Sequence, residues 1–363
     1  MSAPTPLEEE LARRIRSSGP LTVAEFMAMA LQDPEHGYYR TADPLGRAGD
    51  FVTAPEISQM FGEMLGLWAV DGWRADGAPA PFALVEMGPG RGTMMADMLR
   101  AAAVDPDFGA AMSLHLVETS PALRARQAAR LGGSRPRWHD DLESLPPVPL
   151  ILVANELLDA LPVHQFVRGP DGWRERGVGL DPEGRLAFVD DLPARPPPDE
   201  APVGSVVERR PAAAALVAAV AHRILSDGGR ALFVDYGYAG GAGDTLQALR
   251  GHARVPPLDG PGTADLSAHV DFAALARAAE AAGARAWGPV RQGEFLTALG
   301  IVQRAERLAA ARPDRRTTIA AALHRLIAAG AMGTLFKAFA VTRPDAPAPA
   351  GFAMPVPDEE QRP

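Results

Sequence analysis

The 363-residue sequence contains no cysteine, so disulfide bonds, thiolate zinc sites and cysteine nucleophiles are excluded. It also has no excess of basic charge. The formal net charge of -9 disfavours nucleic acid as the main partner, because phosphate binding requires a basic face. No apolar run reaches the roughly 18–20 residues that a membrane helix needs, and Glu8, Glu9 and Glu10 are atypical of a signal or transit peptide. These absences predict a cytoplasmic protein without membrane insertion.

The composition that remains is typical of a globular enzyme with a substantial core. Hydrophobic residues make up 47% of the chain and charged residues 22%, which argues against wholesale disorder. The length exceeds that of a usual single domain and predicts one large core with an added lobe or insertion. Residues 344–363 are rich in proline and have few large apolar side chains to offset the entropy of ordering, so we expect a mobile tail there.

The first 76 residues predict a helical N-terminal lobe. Apolar residues recur at helical spacing over residues 7–32 and are interrupted at Gly19 and Pro20, which indicates two short helices. The sequence from Thr53 to Glu56 has the pattern of a capping box. The apolar residues behind it predict one helix that runs to about Trp73.

From Pro81 onward, apolar strand patterns alternate with helical segments, which is typical of a parallel sheet covered on both faces. The predicted elements are strand 82–87, helix 93–103, strand 114–118, helix 121–131, strand 148–154, helix 212–225 and strand 231–235. Short alternating segments with turn sequences at about 165–205 indicate a β-rich insertion. We therefore expect an α/β fold, with a Rossmann-like sheet over residues 77–343 that has helices on both faces.

A glycine-rich loop follows the first predicted strand of this sheet. Gly88, Gly90 and Gly92 let the backbone turn tightly and approach a ligand closely. The residue after Gly92 is threonine, so the dinucleotide pattern Gly-x-Gly-x-x-Gly fails by one residue, which favours a ligand without a pyrophosphate. Glu86 would repel phosphates but could accept hydrogen bonds from the cationic methionine part of S-adenosylmethionine, directly or through water. We interpret Glu86, Gly88, Pro89, Gly90 and Gly92 as a cofactor-binding loop, with a plain structural turn as the alternative.

Acidic residues after the next two segments are candidates for binding an adenosine. Glu118 ends a predicted strand, where its carboxylate can accept two hydrogen bonds from a ribose diol, although a solvated strand end is the alternative. Asp140, Asp141 and Leu142 could bind the adenine, its amino group through a carboxylate and its ring edge through a backbone N–H. Solvation of a loop is the rival interpretation of these three residues.

Asn155, Glu156 and Asp159 follow a further strand, at the crevice where a methyl acceptor would lie. Methyl transfer needs no metal, because the sulfonium is already an activated leaving group. A guanidinium acceptor does need carboxylates that hold and orient its nitrogen. Glu156 and Asp159 are the best candidates, and helix capping is the alternative for Asn155 and Asp159. Asp235 and Tyr236 end another strand and should face the same crevice, where Tyr236 either lines the acceptor channel or is a buried structural residue.

An ordered series of motifs over most of the chain resembles the MidA family of methyltransferases. Besides the glycine loop, the motifs are residues 49–59, 118–121, 155–166, 235–237, Asp265 with 269–272, 292–295 and 332–337. The resemblance implies a class I fold with S-adenosyl-L-methionine as cofactor, and a protein substrate such as the respiratory complex I subunit whose arginine the mitochondrial members methylate. It also implies that Asp50 and Thr53 approach the cofactor or the acceptor. Leu157 and Leu158 depart from the family, because aromatic residues are expected there.

Other functions stay open at this point. The same fold could methylate a small molecule or another protein side chain, or it could bind the cofactor in a non-catalytic assembly factor. A nicotinamide-dependent oxidoreductase is disfavoured by the failed dinucleotide spacing and by Glu86. The histidines do not have the spacing of metal ligands, so no metal is predicted. The sequence does not predict the oligomeric state.

Overall fold

The computed structural model describes residues 4–41, 53–193 and 201–352. The helices in these ranges are α1 (Pro6–Ser18), α2 (Val23–Gln32), α3 (Tyr38–Thr41), α4 (Ala54–Ile57), α5 (Gln59–Ala75), α6 (Thr93–Ala102), α7 (Pro106–Ala111), α8 (Pro121–Leu131), α9 (Pro211–Asp227), α10 (Phe272–Ala281), α11 (Gln292–Ala298), α12 (Ile301–Ala311), α13 (Arg316–Ile327) and α14 (Met332–Leu335). The strands are β1 (Leu21–Thr22), β2 (Phe82–Met87), β3 (Met112–Val117), β4 (Arg137–His139), β5 (Leu150–Asn155), β6 (His164–Gly169), β7 (Gly172–Leu180), β8 (Leu186–Leu192), β9 (Val206–Arg209), β10 (Gly229–Tyr238), β11 (Gln247–Arg250), β12 (Ala253–Val255), β13 (Asp265–Ser267), β14 (Val270–Asp271), β15 (Arg285–Arg291) and β16 (Phe336–Thr342).

A mostly parallel sheet forms the centre of the molecule, with the strand order β15-β16-β10-β5-β2-β3-β4. Strands β10, β5, β2, β3 and β4 run parallel to one another. Strand β16 is antiparallel to both of its neighbours, β10 and β15. The expected Rossmann-like α/β fold is therefore confirmed, and β2 and α8 have the predicted bounds. The strand order reverses between β2 and β5, and a ligand crevice is expected at the carboxyl ends of these two strands.

Helices cover both faces of this sheet because its central strands are apolar on both sides. Successive residues of a strand point to opposite faces. Leu84, Ile151 and Leu232 accordingly belong to the core shared with α5, α6 and α12. Val85, Leu152 and Phe233 belong to the core shared with α9 and α10 on the other face.

The β-rich insertion forms a separate sheet of order β1-β7-β6-β9, with β8 paired to β7. Strand β1 comes from the N-terminal region and pairs antiparallel with β7. Helices α1 and α2 pack on this sheet through residues such as Leu11 and Phe26, which share a core with Val178. Helix α5 packs instead against α6, within the core of the large sheet. The region predicted as one lobe, residues 1–76, therefore contributes to two cores.

The predicted capping box at Thr53 is not formed. The Thr53 side chain makes no capping hydrogen bond, and the carboxylate of Glu56 accepts a hydrogen bond from the Thr93 hydroxyl at 2.6 Å instead. The helix also ends early, because Ser58 is extended and its hydroxyl accepts a hydrogen bond from the Met60 N–H as the cap of α5. One predicted helix is thus the short α4 followed by α5.

The proline-rich end of the chain differs from the predicted mobile tail as far as residue 352. Phe352 is 3% exposed and its ring lies 5.3 Å from the ring of Phe295. One large aromatic side chain therefore anchors residues 344–352 to the core. The rest of the predicted tail lies outside the described residues.

Among the described residues, Pro313–Leu335 has the length and composition of a membrane-crossing helix, with 23 residues and a mean hydropathy of 1.3 over its most apolar 18-residue window. The segment is divided into α13 and α14. It also carries Arg316, His324 and Arg325, which interrupt its apolar sequence.

Candidate functional site

A cavity of about 530 Å³ opens at the carboxyl ends of β2, β3 and β5, where the reversed strand order predicts a ligand site. Helices α2, α3 and α4 close its other side. The predicted site residues that line it are Thr53, Glu86, Gly88, Pro89, Gly90, Glu118, Asn155 and Glu156. Other predicted site residues within the described ranges do not line it, namely Gly92, Asp140, Asp141, Leu142, Asp159, Asp235 and Tyr236. Asp50 lies outside the described residues.

The glycine loop takes backbone conformations that favour glycine. Gly88, Gly90 and Gly92 have φ angles of 66°, 51° and 73°, all in the left-handed region. A Cβ atom on Gly88 would lie 3.0 Å from Cδ1 of Leu157 on the opposite wall of the cavity. Gly92 is the residue before α6, and a Cβ there would lie 3.2 Å from Cδ1 of Leu131. Gly92 therefore serves the packing of α6, while Gly88 and Gly90 form the cavity wall.

Glu86 is a buried carboxyl group at the end of β2, and it lines the cavity although it is 2% exposed. Burial raises its pKa well above the usual range, and a hydrogen bond from the backbone of Met95 opposes that shift. Its Oε2 atom has no hydrogen-bond partner among the described residues. A buried acceptor without a partner is costly, so this oxygen fits a ligand that brings a donor, above all a cationic one.

Glu118 lies just after β3, and the surrounding backbone fixes its orientation. Its Oε1 accepts a hydrogen bond from the Ser120 N–H at 2.8 Å, and its Oε2 accepts one from Nε2 of Gln127 at 3.3 Å. Burial raises the pKa of Glu118, and these hydrogen bonds oppose that shift. The carboxylate lines the cavity across from the glycine loop, as the adenosine interpretation requires.

Gln127 connects the glycine loop to Glu118, and no sequence pattern singled it out. It is fully buried on α8 and donates a second hydrogen bond from Nε2 to the Gly90 carbonyl at 2.8 Å. Its Oε1 accepts a hydrogen bond from Nε1 of Trp138 at 2.8 Å. A lone glutamine on a helix is usually a surface residue, so only the three-dimensional contacts reveal its function in the site.

Asp140, Asp141 and Leu142, the residues predicted to bind an adenine, do not line this cavity, and each makes a contact elsewhere. Asp140 accepts a hydrogen bond from Arg124 at 2.6 Å. Asp141 accepts one from the Ser144 N–H at 2.8 Å and thereby closes its own turn. Leu142 is part of the hydrophobic core beneath the large sheet. These contacts are compatible with the alternative of a solvated loop, and the binding of an adenine by these residues stays a prediction.

Glu156 enters the cavity from a strained backbone position directly after β5. Its φ angle is 51°, which is uncommon for a residue other than glycine. Its Oε1 accepts hydrogen bonds from the Ala54 N–H at 3.1 Å and from Nδ2 of Asn155 at 3.0 Å. Burial, together with the nearby charge of Asp159, raises the pKa of Glu156 to about 7. Glu156 is thus a titratable acceptor at neutral pH, held by α4.

Asp159, Asp235 and Tyr236 lie behind the cavity wall as a buried network, which corrects the prediction that they face the crevice. Oδ2 of Asp235 accepts hydrogen bonds from the N–H groups of Leu158 and Asp159, at 2.9 and 3.2 Å. The Tyr236 hydroxyl donates to Oδ2 of Asp159 at 2.7 Å. Burial raises the pKa of both aspartates. The strands turn these side chains inward, where they fix the segment that follows Glu156.

Two further residues connect distant segments of the chain at this part of the site, and no sequence pattern indicated either of them. Tyr39 of α3 lines the cavity, and its hydroxyl donates to Oδ1 of Asp265 at 2.9 Å. Arg210 donates hydrogen bonds to the carbonyl oxygens of four residues, Asp159, Leu161, Ala268 and His269. Arg210 therefore clamps the segment after β5 to the loop before β14.

Comparisons with known proteins give a consistent family. Residues 64–290 match the model of a family described as "Putative S-adenosyl-L-methionine-dependent methyltransferase". The mitochondrial protein arginine methyltransferase NDUFAF7 of Mus musculus is 39% identical over 373 residues, which cover 93% of this chain and 84% of that protein. Its homologue in Drosophila melanogaster is 37% identical, covering 92% of this chain and 84% of that protein.

A crystal structure from Burkholderia thailandensis bound to S-adenosyl-homocysteine has the same fold. It superposes with a TM-score of 0.81 at 31% identity, covering 98% of this chain and 96% of that one. A native structure from the same organism gives a TM-score of 0.83 at 32% identity, covering 97% of this chain and 98% of that one.

The expectation of a cytoplasmic protein is contradicted by these relatives, because the mouse, rat and fruit-fly proteins are all named as mitochondrial. The expectation rested on missing cysteines, on the lack of a long apolar run and on acidic residues near the start of the sequence, none of which identifies a compartment.

The cavity itself agrees with the family cofactor, S-adenosyl-L-methionine. Glu86 leaves one buried carboxylate oxygen for a cationic group, and Glu118 presents a second carboxylate. Gly88 and Gly90 line the cavity with backbone, and a Cβ on Gly88 would meet the side chain of Leu157. The matched family model, the relatives and the superposed structures all lead to the resemblance that the motifs predicted. The chain belongs to the MidA family of S-adenosyl-L-methionine-dependent methyltransferases.

Proposed function

We propose that this methyltransferase methylates an arginine side chain of a protein partner, and that the partner is a subunit of respiratory complex I. The names of the relatives support an arginine acceptor. The observation that carries the proposal is Glu156, a carboxyl group that lines the cavity with its pKa raised to about 7 by burial and by Asp159. A cationic guanidinium would relieve this accumulation of buried negative charge.

On the cofactor side, we assign the loop of Gly88, Pro89 and Gly90 to the backbone contacts of S-adenosyl-L-methionine. Glu86 would accept a hydrogen bond from the methionine ammonium group with its unpartnered oxygen. Glu118, oriented by Ser120 and Gln127, would accept the hydroxyl groups of the ribose. When bound, the cofactor supplies a methyl group on a sulfonium, which is an activated leaving group.

On the acceptor side, Glu156 would hold and orient the guanidinium. Its carboxylate accepts hydrogen bonds from the guanidinium and keeps one nitrogen aligned with the methyl group. A nitrogen–carbon bond then forms as the sulfur–carbon bond breaks, and the nitrogen loses one proton. Glu156 can accept that proton, because its pKa of about 7 lies near neutral pH. Asn155 would fix the carboxylate through its hydrogen bond to Oε1.

The remaining predicted residues receive indirect functions in this proposal. Asp159, Asp235 and Tyr236 would position Glu156 by holding the segment behind it, and the charge of Asp159 contributes to the raised pKa of Glu156. Thr53 begins the segment whose Ala54 N–H binds Glu156. Asp50 is retained as an acceptor-side residue on the family resemblance alone.

The test is methyl transfer from labelled S-adenosyl-L-methionine to the purified complex I subunit, read by mass spectrometry, for wild type and Glu156→Gln. We expect arginine methylation by the wild type and a rate at least tenfold lower for the variant, about 1.4 kcal/mol in barrier. Binding of S-adenosyl-homocysteine should be retained by the variant, because Gln preserves the shape of the wall. Exposed Glu280→Gln is the matched control and should leave the rate unchanged.

Two results would contradict the proposal. If label appears only on a small molecule, or on a side chain other than arginine, the acceptor is wrong while the methyltransferase family stands. If Glu156→Gln methylates arginine at the wild-type rate, Glu156 does not orient the acceptor.

A further inference from the structure

The exposed side of helix α13 is a basic surface without acidic side chains. Arg316, Ala320, Ala321, His324 and Arg325 are exposed on this helix. We call the surface formed by these five residues the α13 face. The opposite side of the helix is held in place, because residues such as Leu326 are buried in the core of the large sheet. The nearest acid in sequence, Asp314, is engaged by Arg312 through hydrogen bonds of 3.1 and 3.0 Å. The basic character of this face is opposite in sign to the net charge of -9 of the whole chain.

The α13 face lies beside the acceptor end of the cavity. Helix α13 contacts α4, and α4 lines the cavity through Pro55 and Glu56. At the C-terminal end of α13, Arg325 is close enough to Glu156 for its charge to lower the pKa of that carboxyl group. A polypeptide that presents a side chain to Glu156 would therefore run along α13 or leave the cavity next to it.

We propose that the α13 face docks the acceptor protein through an acidic segment beside the target arginine. The inference rests on the proposed function, because it assumes a protein acceptor. Arginine fits carboxylates well, since its planar guanidinium can bind both oxygens. Ala320 and Ala321 lie between the basic residues and have short side chains, so an extended backbone can approach the helix closely. An acidic partner would also be attracted by this patch although the molecule as a whole is acidic.

The spacing of the two arginines limits where the acidic residues should lie. Arg316 and Arg325 are separated by nine residues on one helix, which is about two and a half turns at ~3.6 residues per turn, so their side chains lie on opposite flanks of the α13 face. Their separation along the helix axis is about 13.5 Å at ~1.5 Å per residue. An extended peptide covers that distance in about four residues at ~3.4 Å each. We expect acidic residues next to the target arginine, where they meet Arg325, and again about four residues further away.

The experiment measures binding of fluorescent peptides to the full chain in the presence of S-adenosyl-homocysteine, by fluorescence anisotropy. Three peptides share one central arginine and carry aspartate, serine or lysine at the flanking positions. We expect the aspartate peptide to bind at least threefold more tightly than the serine peptide at low ionic strength. In 0.5 M salt this difference in affinity should disappear, because the screening length falls from ~10 Å at 0.1 M towards ~3 Å at 1 M. The Arg316→Glu variant should reverse the order of the aspartate and lysine peptides.

The matched control is Arg343→Glu, because Arg343 pairs with Asp345 and follows Thr342, which lies beside the start of β10, at the end of the large sheet opposite the cavity. Its peptide affinities should equal those of the wild type. Unfolding temperatures of both variants report whether they fold, and Arg316→Ala, which should abolish the preference without reversing it, is a second test.

Equal affinities for the three peptides would overturn the docking inference, even if all of them are methylated and the proposed function holds. Conversely, if Arg316→Glu reverses the charge preference, the docking surface is supported even if no peptide is methylated. Missing methylation would then count against the arginine acceptor. Anionic phosphatidylserine vesicles provide the remaining comparison. If Arg316→Glu abolishes sedimentation with vesicles while the peptide preference is absent, the face binds membranes and the inference is wrong.

Discussion

At the scale of single residues, Glu156 combines two properties that are unfavourable by themselves. A left-handed backbone costs free energy for a residue other than glycine, and a carboxyl group buried beside another carboxyl resists ionisation. The surrounding structure compensates for both, because the Glu156 N–H donates to the Val234 carbonyl and its side chain accepts from the Ala54 N–H. Strain of this kind is found most often at functional sites.

The raised pKa of Glu156 predicts a pH dependence of stability. The folded protein keeps this proton up to a pH of about 7, whereas the ordinary value is 4.5. Between these values the folded state binds more protons than the unfolded state, so the free energy of unfolding falls as the pH rises. Glu156→Gln should remove this contribution and stabilise the cofactor-free protein by about 1–3 kcal/mol at pH 8 relative to pH 4.5. Urea unfolding at both pH values measures it, with Glu280→Gln as the exposed control.

A difference between Glu156→Gln and wild type that does not change with pH would contradict the assignment of this proton to Glu156.

The sequence indicated site residues where the chain itself carries a local signature. Glu86, Gly88 and Glu118 stand at strand ends, and strand ends of a parallel sheet converge on one edge. Gln127 and Tyr39 have no such signature, because their contacts with Gly90 and Asp265 join segments far apart in the chain. Asp235 ends a predicted strand as well, but β10 continues to Tyr238, and the Asp235 carboxylate faces inward and accepts hydrogen bonds from the N–H groups of Leu158 and Asp159. Position along the strand does not tell an inward side chain from one that faces the crevice.

At the scale of elements, the strands and helices of the first half of the sheet were predictable because their apolar patterns are strong. Strand β2 and helix α8 match their predicted bounds. Helix α5 begins later than predicted, because a capping pattern at Thr53 competes with Ser58, and Glu56 bonds to Thr93 rather than to the helix start. The pairing of β1 with β7 also joins residues far apart in the chain, which no local pattern encodes.

The contacts of Arg210 allow a prediction of how much the segment after β5 contributes to stability through one side chain. Its guanidinium donates to four carbonyl groups on two segments. Arg210→Met keeps an apolar side chain of similar length but leaves these carbonyls without their donor, so we expect a loss of about 2–4 kcal/mol in the free energy of unfolding. Denaturant titration measures the loss. Exposed Arg174→Met is the matched control and should change stability by less than about 0.5 kcal/mol.

If Arg210→Met unfolds at the wild-type denaturant concentration, water replaces the guanidinium at these carbonyls and the clamp contributes nothing to stability.

At the scale of the whole molecule, composition was informative about the class of protein and misleading about its compartment. The mixture of apolar and charged residues predicted a globular enzyme, and the family match agrees. The expected cytoplasmic location was wrong, because cysteine content and a few acidic residues are not targeting signals. Net charge is equally coarse. The net charge of -9 does not show the basic face of α13, since exposed charges are screened beyond about 8 Å at physiological salt.

The chemistry of the cavity predicts which adenosine-containing ligands stabilise the protein. S-adenosyl-homocysteine has no phosphate and presents an ammonium group that Glu86 can bind, whereas the pyrophosphate of NAD would meet the same buried carboxyl group. At a ligand concentration about 100 times Kd, binding should stabilise the fold by about 2.7 kcal/mol, which raises the unfolding temperature of a chain of this length by about 3–4 °C. NAD at the same concentration should give no shift. Gly90→Val provides the control, because a branched side chain at a φ of 51° obstructs the loop that lines the cavity. This variant should unfold cooperatively and show no shift with S-adenosyl-homocysteine, while an equal shift in variant and wild type would mean that the ligand binds elsewhere.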